Sequence, residues 1–276
     1  MVIIIVIVGR QFAGYFGGRT SAHHVAVVAS PTPAGSETPG PLESITPAPS
    51  PTAAPSGAPR IAIIIDDCGY SIPRDIVFLK LPIPLTLSIL PMTPHGKQVA
   101  VDALAAGKAV MLHIPMEPFS SGANPGPGEI STEMTDAQID TQLTADIASL
   151  PPLPGANNHM GSKASSDPRV MRDVINILKR NDMFFIDSMT AMTTVGASTA
   201  RELGVPTAQR DVFLDDTVNV PYIEGQIKQL EATAKKNGEA IAIGHPFPAT
   251  YQALAAMVPK MQAAGFAFVD AKTLVK

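Results

Sequence analysis

Charged residues make up only 16% of the 276 residues, the formal net charge is -4, and no run of lysine or arginine occurs. A nucleic-acid partner is not expected, because phosphate recognition needs a basic patch or stripe. Cys68 is the single cysteine, which excludes an intrachain disulfide and a thiolate zinc cluster. Three common catalytic signatures are missing too: the G-x-S-x-G elbow, the G-x-x-x-x-G-K-S/T loop and the G-x-G-x-x-G turn. Serine hydrolase, P-loop nucleotidase and Rossmann dehydrogenase chemistry therefore lack their signals. No long apolar run is present either. Met1 to Val8 is almost wholly apolar but stops at Gly9-Arg10, short of the roughly 20 residues that cross a bilayer, and no basic residue precedes it.

What is present falls into three regions. Residues 1–29 begin with that apolar run and read as an anchor or signal remnant, or else as a disordered apolar end. Residues 30–59 run SPTPAGSETPGPLESITPAPSPTAAPSGAP, a mixture with no core pattern that reads as an extended tether. An apolar start followed by a tether suits a domain held in the cell envelope or periplasm, with membrane attachment through the N-terminus. From residue 60 to 276, short apolar runs alternate with amphipathic segments, the β/α pattern.

Strands are expected at Ile61–Ile65, Leu85–Leu90, Ala109–Ile114, Ala156–His159, Met183–Asp187, Val212–Leu214, Ala240–Ile243 and Phe266–Val269. Helix signals stand between them. Gly107 closes His95–Ala106, Thr135-Asp-Ala-Gln138 is a capping box, and Asp167-Pro168 reads as N-cap and N1. Pro221 opens a helix that ends near Gly238, and Gly265 closes the last, Ala249–Ala264. The architecture expected is α/β, a distorted (β/α) barrel of seven or eight strands, with a doubly wound open sheet as the alternative. Both gather function at the C-terminal ends of the strands.

Those ends are where the polar residues fall. The run Ile61-Ala-Ile-Ile-Ile65 breaks directly into Asp66-Asp67-Cys68-Gly69, and two adjacent carboxylates at the end of a buried strand are costly without a cation or hydrogen bonds. His113 with Glu117, then Asn157-Asn158-His159, Asp187, Asp215-Asp216 and His245 follow at later strand exits. Each alone has a structural explanation: a turn, a helix cap, a satisfied core histidine, or, for Asp215-Asp216, a solvated pair. Together on one barrel rim they point to a divalent-metal site of carboxylate and imidazole ligands, with zinc the expected ion. Such an ion makes bound water acidic enough, near pH 7, to act as a nucleophile. Asp67, His113 and His159 are the candidate ligands, with Glu117 as a substitute and Asn158 as a further ligand or substrate contact. Strand alternation points Asp66 away from Asp67, as a candidate base. His245 is the candidate proton donor, with Asp187 orienting it or steadying its charge.

The ordered segments IIIDDCG, MLHIPMEP, NNHMGS, FFIDSMT and AIGHP resemble the divergent polysaccharide deacetylases, YibQ-like relatives of the NodB-type carbohydrate esterases, over Arg60 to Lys276. The resemblance implies a distorted β/α barrel and metal-dependent removal of acetyl groups from an N-acetylated sugar or envelope polysaccharide. By the same resemblance Asp66 matches the catalytic base, Asp67 the metal-binding aspartate, and His245 the late histidine that acts as acid. The sequence departs from the family pattern in three places. Cys68 stands between the Asp pair and its glycine, Glu117 stands where His, Ser or Thr is usual, and Asn157-Asn158-His159 replaces a segment that usually carries Arg. These departures leave a second expectation open, a non-catalytic envelope protein whose rim binds glycan or a protein partner.

Overall fold

The computed structural model describes residues 57–276. The anchor-like segment at 1–29 and all but the last three residues of the tether lie outside the described residues. Among the described residues, no helix is long and apolar enough to cross a membrane.

The elements run β1 Arg60–Cys68, α1 Ile72–Ile76, β2 Thr86–Ile89, α2 Gly96–Ala105, β3 Ala109–Met116, α3 Asp136–Ala148, β4 Gly155–Met160 and α4 Pro168–Arg180. They continue with β5 Phe184–Asp187, α5 Gly196–Glu202, β6 Thr207–Gln209, β7 Val212–Phe213, α6 Val220–Asn237, β8 Glu239–Gly244, α7 Pro248–Ala263 and β9 Ala267–Val269. All nine strands belong to one sheet, ordered β6-β5-β4-β3-β2-β1-β8-β7, with β9 pairing to the start of β1. Every ladder is parallel. β6 and β7 form no ladder with each other, so the barrel stays open at that seam. There the backbone N–H groups of Arg210 and Asp211 donate to Asp187 on one flank and Ile241 on the other.

Local chemistry explains most element ends. Thr135 and Gln138 form a reciprocal capping box on α3, and the Asp167 carboxylate accepts from Arg169 and Val170 at the start of α4. Asn219 caps α6, and Gly238 ends it with φ +82°, a left-handed conformation that glycine adopts without steric cost. Three elements were not expected: α1, a five-residue helix too short to show a period, β6 and α5. β6 is too short to display an alternation, and α5 lies in a small-residue stretch, Gly-Ala-Ser-Thr-Ala, with weak apolar periodicity.

The core has two compartments. Ile61, Ile63 and Ile65 of β1 point outward beneath the helices, whereas Ala62 and Ile64 point into the barrel with Met111, Phe184, Ile186, Ile241 and Ile243. A 3₁₀ turn, Ala271–Leu274, closes the floor of this inner compartment through Ala271 and Leu274. Its backbone groups have partners: Ala271 N–H donates to Thr86 Oγ1, and Thr207 and Lys276 exchange two backbone bonds. Because side chains alternate along a strand, the inward parity carries on to the rim. It is set by Ile64 on β1, Met111 on β3, Ile186 on β5 and Ile243 on β8.

Candidate metal centre and active site

The Asp pair that opened the sequence argument sits on a β-bulge. Ile65 pairs with Leu87 and Cys68 with Ile89, so β1 spends one residue more than β2 across the same stretch. Asp67 takes φ +57° there, a left-handed conformation that strains a residue with a side chain and persists only where its surroundings hold it. The Cys68 thiol donates to Ile65 O and Asp66 O within the bulge. Asp75 accepts from Gly69 N–H at 2.7 Å and pins the following turn. Gly69 itself has φ +120°, and a Cβ there would lie 2.3 Å from Thr93 Oγ1. The bulge overrules the alternation expected for this pair: Asp66 and Asp67 face the same way, and both reach His113 Nε2, at 3.5 and 3.2 Å.

Around Asp67 Oδ1 the donors close into a triangle. His113 Nε2 is 3.2 Å away and His159 Nδ1 2.8 Å, and the two imidazole nitrogens are 3.2 Å apart. Bonds of about 2.0–2.2 Å from zinc to nitrogen and oxygen place neighbouring ligands roughly 3 Å apart, so this spacing suits a divalent ion. Asp67 Oδ1 is buried and makes no well-formed hydrogen bond, a costly state for a carboxylate oxygen unless a cation completes it. The second shell fits as well. Asn157 Oδ1 lies 2.8 Å from His113 Nδ1 and accepts from Ser88 Oγ at 2.5 Å. His113 Nδ1 therefore carries the proton, and the Nε2 lone pair is left for a metal. The residues present fit a divalent cation held by Asp67, His113 and His159.

Asn157, named from sequence at a strand exit but given no role there, is central to the hydrogen bonding of the candidate site. Its amide donates to both oxygens of Asp66, at 2.9 and 3.0 Å, and to Ser188 Oγ at 3.1 Å. One side chain thus ties the candidate base to a candidate ligand. Burial pushes the Asp66 carboxyl up, against the pull of His113, His245 and the Asn157 amide. Burial acts on Asp67 in the same sense, but the imidazoles of His159 and His245 outweigh it and hold that carboxyl well below the usual range. The two neighbours are driven in opposite directions, which suits one to proton transfer and the other to permanent negative charge.

Across the site His245 Nε2 stands 3.8 Å from Asp67 Oδ2. Its other nitrogen, Nδ1, lies 2.9 Å from Asp215 Oδ1, and its backbone N–H donates to Asp215 Oδ2 at 2.6 Å. Burial lowers the imidazole, yet Asp67 and Asp215 together raise it to about 9.

The profile of the divergent polysaccharide deacetylases matches residues 63–275. The chain belongs to that family. A protein of Escherichia coli, the uncharacterized YibQ, is 37% identical over 204 residues, covering 73% of this chain and 63% of its own length. The chain thus spans less than two thirds of that relative. An uncharacterized Haemophilus influenzae protein is 34% identical over 197 residues, covering 71% of this chain and 70% of that protein. An uncharacterized protein of Agrobacterium tumefaciens has the same fold: its crystal structure superimposes with a TM-score of 0.77, over 82% of this chain and 92% of that one, at 24% identity.

Four expectations for this deacetylase-family site need correction. Asp187 does not orient His245. It is fully buried on the outward face of β5, where it accepts from Thr194 Oγ1, Met189 N–H and Ala197 N–H and caps α5. Gly196 is required beside it, since a Cβ there would lie 2.8 Å from Asp187 Oδ2. Asp215, read from sequence as half of a solvated pair, is 3% exposed and holds His245 instead. Glu117 is turned away from the triangle: Thr132 N–H and Oγ1 and the Lys163 ammonium bond its carboxylate, and they hold it below its usual range against burial. Asn158 points outward and bonds Ser188 N–H, Met160 O and Thr190 Oγ1, a loop brace with no bond to the triangle.

Proposed function

We propose that this family member is a metal-dependent hydrolase that removes the acetyl group from an N-acetylated sugar, with an envelope polysaccharide as the natural setting. The observation that carries the reading is the Asp67–His113–His159 triangle with Asp66 on one side and His245 on the other. A bound divalent ion, zinc in the first instance, would supply Lewis acidity toward the acetamide oxygen and an acidic water. The protein does the rest. Asp66, oriented by two bonds from Asn157, accepts the proton released as the carbonyl is attacked. His245, whose Nδ1–H is directed at Asp215, presents Nε2 toward the site and returns a proton to the departing amine. Asn157 keeps base and metal ligand in register.

The same proposal places residues 60–276 as the catalytic domain on a tether, exported to the envelope or periplasm and attached through the N-terminus. Fractionation of cells expressing the full chain tests that part.

The chemistry is tested by measuring metal in the purified protein and acetate released from N-acetylated chito-oligosaccharides or peptidoglycan fragments. Bound metal at one equivalent, with release lost in Asp66→Asn while metal is retained, is the expected result. A protein that takes up no divalent ion on reconstitution and releases no acetate would sink the reading.

A further inference from the structure

Exposed large apolar side chains are not spread evenly over this molecule. Among the described residues there are seven: Tyr70, Met92, Val101, Leu104, Phe119, Met192 and Val218. Five of them lie on loops that leave C-terminal strand ends, after β1, β2, β3, β5 and β7. The other two share one face of α2. No loop at the opposite end of the barrel carries one among the described residues. Parallel strands bring all five loops to the end that holds Asp67, His113 and His159. Phe119 is 66% exposed and Met192 93% exposed, a steep hydration cost for side chains with nothing to meet.

Three of the five loops, those of Met92, Phe119 and Met192, are also uncharged where they carry these residues, whereas Tyr70 is followed by Arg74, which bonds Pro246 O, and Val218 adjoins Asp215-Asp216 in sequence. Leu90–Pro94, Pro118–Gly128 and Ser188–Val195 contain no Asp, Glu, Lys, Arg or His. Lys163, on the neighbouring loop, is engaged by Glu117. These three loops offer no cation to an anionic glycan, whose recognition needs exposed positive charge. They offer flexible thioethers and an aromatic ring, which adapt to an alkyl chain. The loops leave the same strand ends as the metal triangle, so a molecule whose amide sits at the triangle is the occupant within their reach.

We infer that the collar of Tyr70, Met92, Phe119 and Met192 binds an alkyl chain carried by an uncharged N-acetylated sugar, so that the substrate is an amphiphile. The inference rests on the deacetylase reading for where the amide sits, but its readout is binding.

The test is calorimetric titration of the full-length protein with the octyl and methyl glycosides of N-acetylglucosamine, the octyl compound kept below its micelle concentration. The octyl glycoside should bind at least about tenfold more tightly, since each buried methylene adds to affinity. A Phe119→Ser, Met192→Ser double variant should bring the two ligands to within about threefold of each other. A Val101→Ser, Leu104→Ser variant, equally exposed on α2, should leave the preference intact. Equal affinities for octyl and methyl glycosides in the unmodified protein, as sugar stacking on Tyr70 and Phe119 alone would produce, overturn the inference. So does an octyl preference that survives the rim variant, or sedimentation with zwitterionic vesicles without any preference for the monomeric octyl glycoside. Acetate release is followed alongside: its absence with the octyl preference intact removes the deacetylase reading and leaves the alkyl site standing.

Discussion

At the floor of the barrel, Ala271 N–H donates to Thr86 Oγ1, Thr207 and Lys276 exchange two backbone bonds, and Leu274 joins the inner cluster of Ile64, Met111 and Ile241. At the rim the same strands end in Asp67 with φ +57° and an unpartnered buried oxygen. Met92, Met160 and Met189, at or just beyond the ends of β2, β4 and β5, also have positive φ. The floor is not free of either feature, since Thr207 Oγ1 is buried without a partner and Asp182, just before β5, has φ +55°. What sets the rim apart is that strain and an unmet carboxylate oxygen fall on one side chain, Asp67, beside two imidazoles. The contrast separates what keeps the protein folded from what it is built to bind. Substitutions at the two ends should fail in different ways.

The sharpest break is Asp67→Gly. Metal uptake and acetate release should be lost. Glycine relieves the left-handed backbone, but the variant also removes a carboxylate that the imidazoles hold well below its usual range, so the unfolding free energy of the metal-free protein near neutral pH should fall by about 1 kcal/mol or more, measured by urea titration. A rise in stability would show that backbone strain at the bulge outweighs the carboxylate's pairing with the imidazoles.

Asp215→Asn and Asp187→Asn form the next pair. The first should lower kcat by roughly 10²- to 10⁴-fold with metal retained, because His245 loses the partner that orients its ring. The second should cost roughly 1–3 kcal/mol of stability with kcat little changed, because Asp187 serves the α5 cap. The reverse pattern would restore the role that sequence assigned to Asp187.

At the floor, Leu274→Ala should cost about 2–4 kcal/mol by creating a cavity, and leave kcat unchanged at a temperature well below unfolding.

Asp146 separates an orphaned carboxylate oxygen from a metal ligand. It is fully buried beside Gly128, one oxygen has no partner, and only Gln142 bonds the other. Burial raises it from 3.8 to about 7. The folded state keeps a proton that the unfolded chain loses above about pH 4, so unfolding free energy should fall as pH rises from about 4 to 7 and flatten beyond. Asp146→Asn should remove that component and gain on the parent by on the order of a few kcal/mol at pH 8. A parallel pH dependence in parent and variant would refute the assignment.

The smallest effect is expected from Glu117→Gln, which should shift metal affinity less than about threefold and stability by less than about 1 kcal/mol, since it breaks only a half-exposed ion pair.

Much of this was readable in the chain. The Ile61–Ile65 run, the capping box at Thr135, Asp167-Pro168 and the glycines after the helices locate most strands and helices by local rules. The polar residues at strand exits identify the end where the candidate site gathers. The seam was half readable: the strand expected at Val212–Leu214 is present as β7, Val212–Phe213, but β6, with three residues, is too short for any period to show.

The amino-acid sequence by itself determined that this is a parallel β/α protein whose acids and histidines meet at one end, because those facts follow from local apolar runs and from residue order. It also singled out Asp66, Asp67, His113, His159 and His245. Only the tertiary structure decided which way each side chain points. Strands buried on both faces are apolar at every position, so parity leaves no trace in composition. Packing alone shows that Ile186 faces inward and therefore that Asp187 faces out, while Phe213 faces inward and Asp215 with it. A single extra residue at the β1 bulge then turned both members of the Asp pair toward His113.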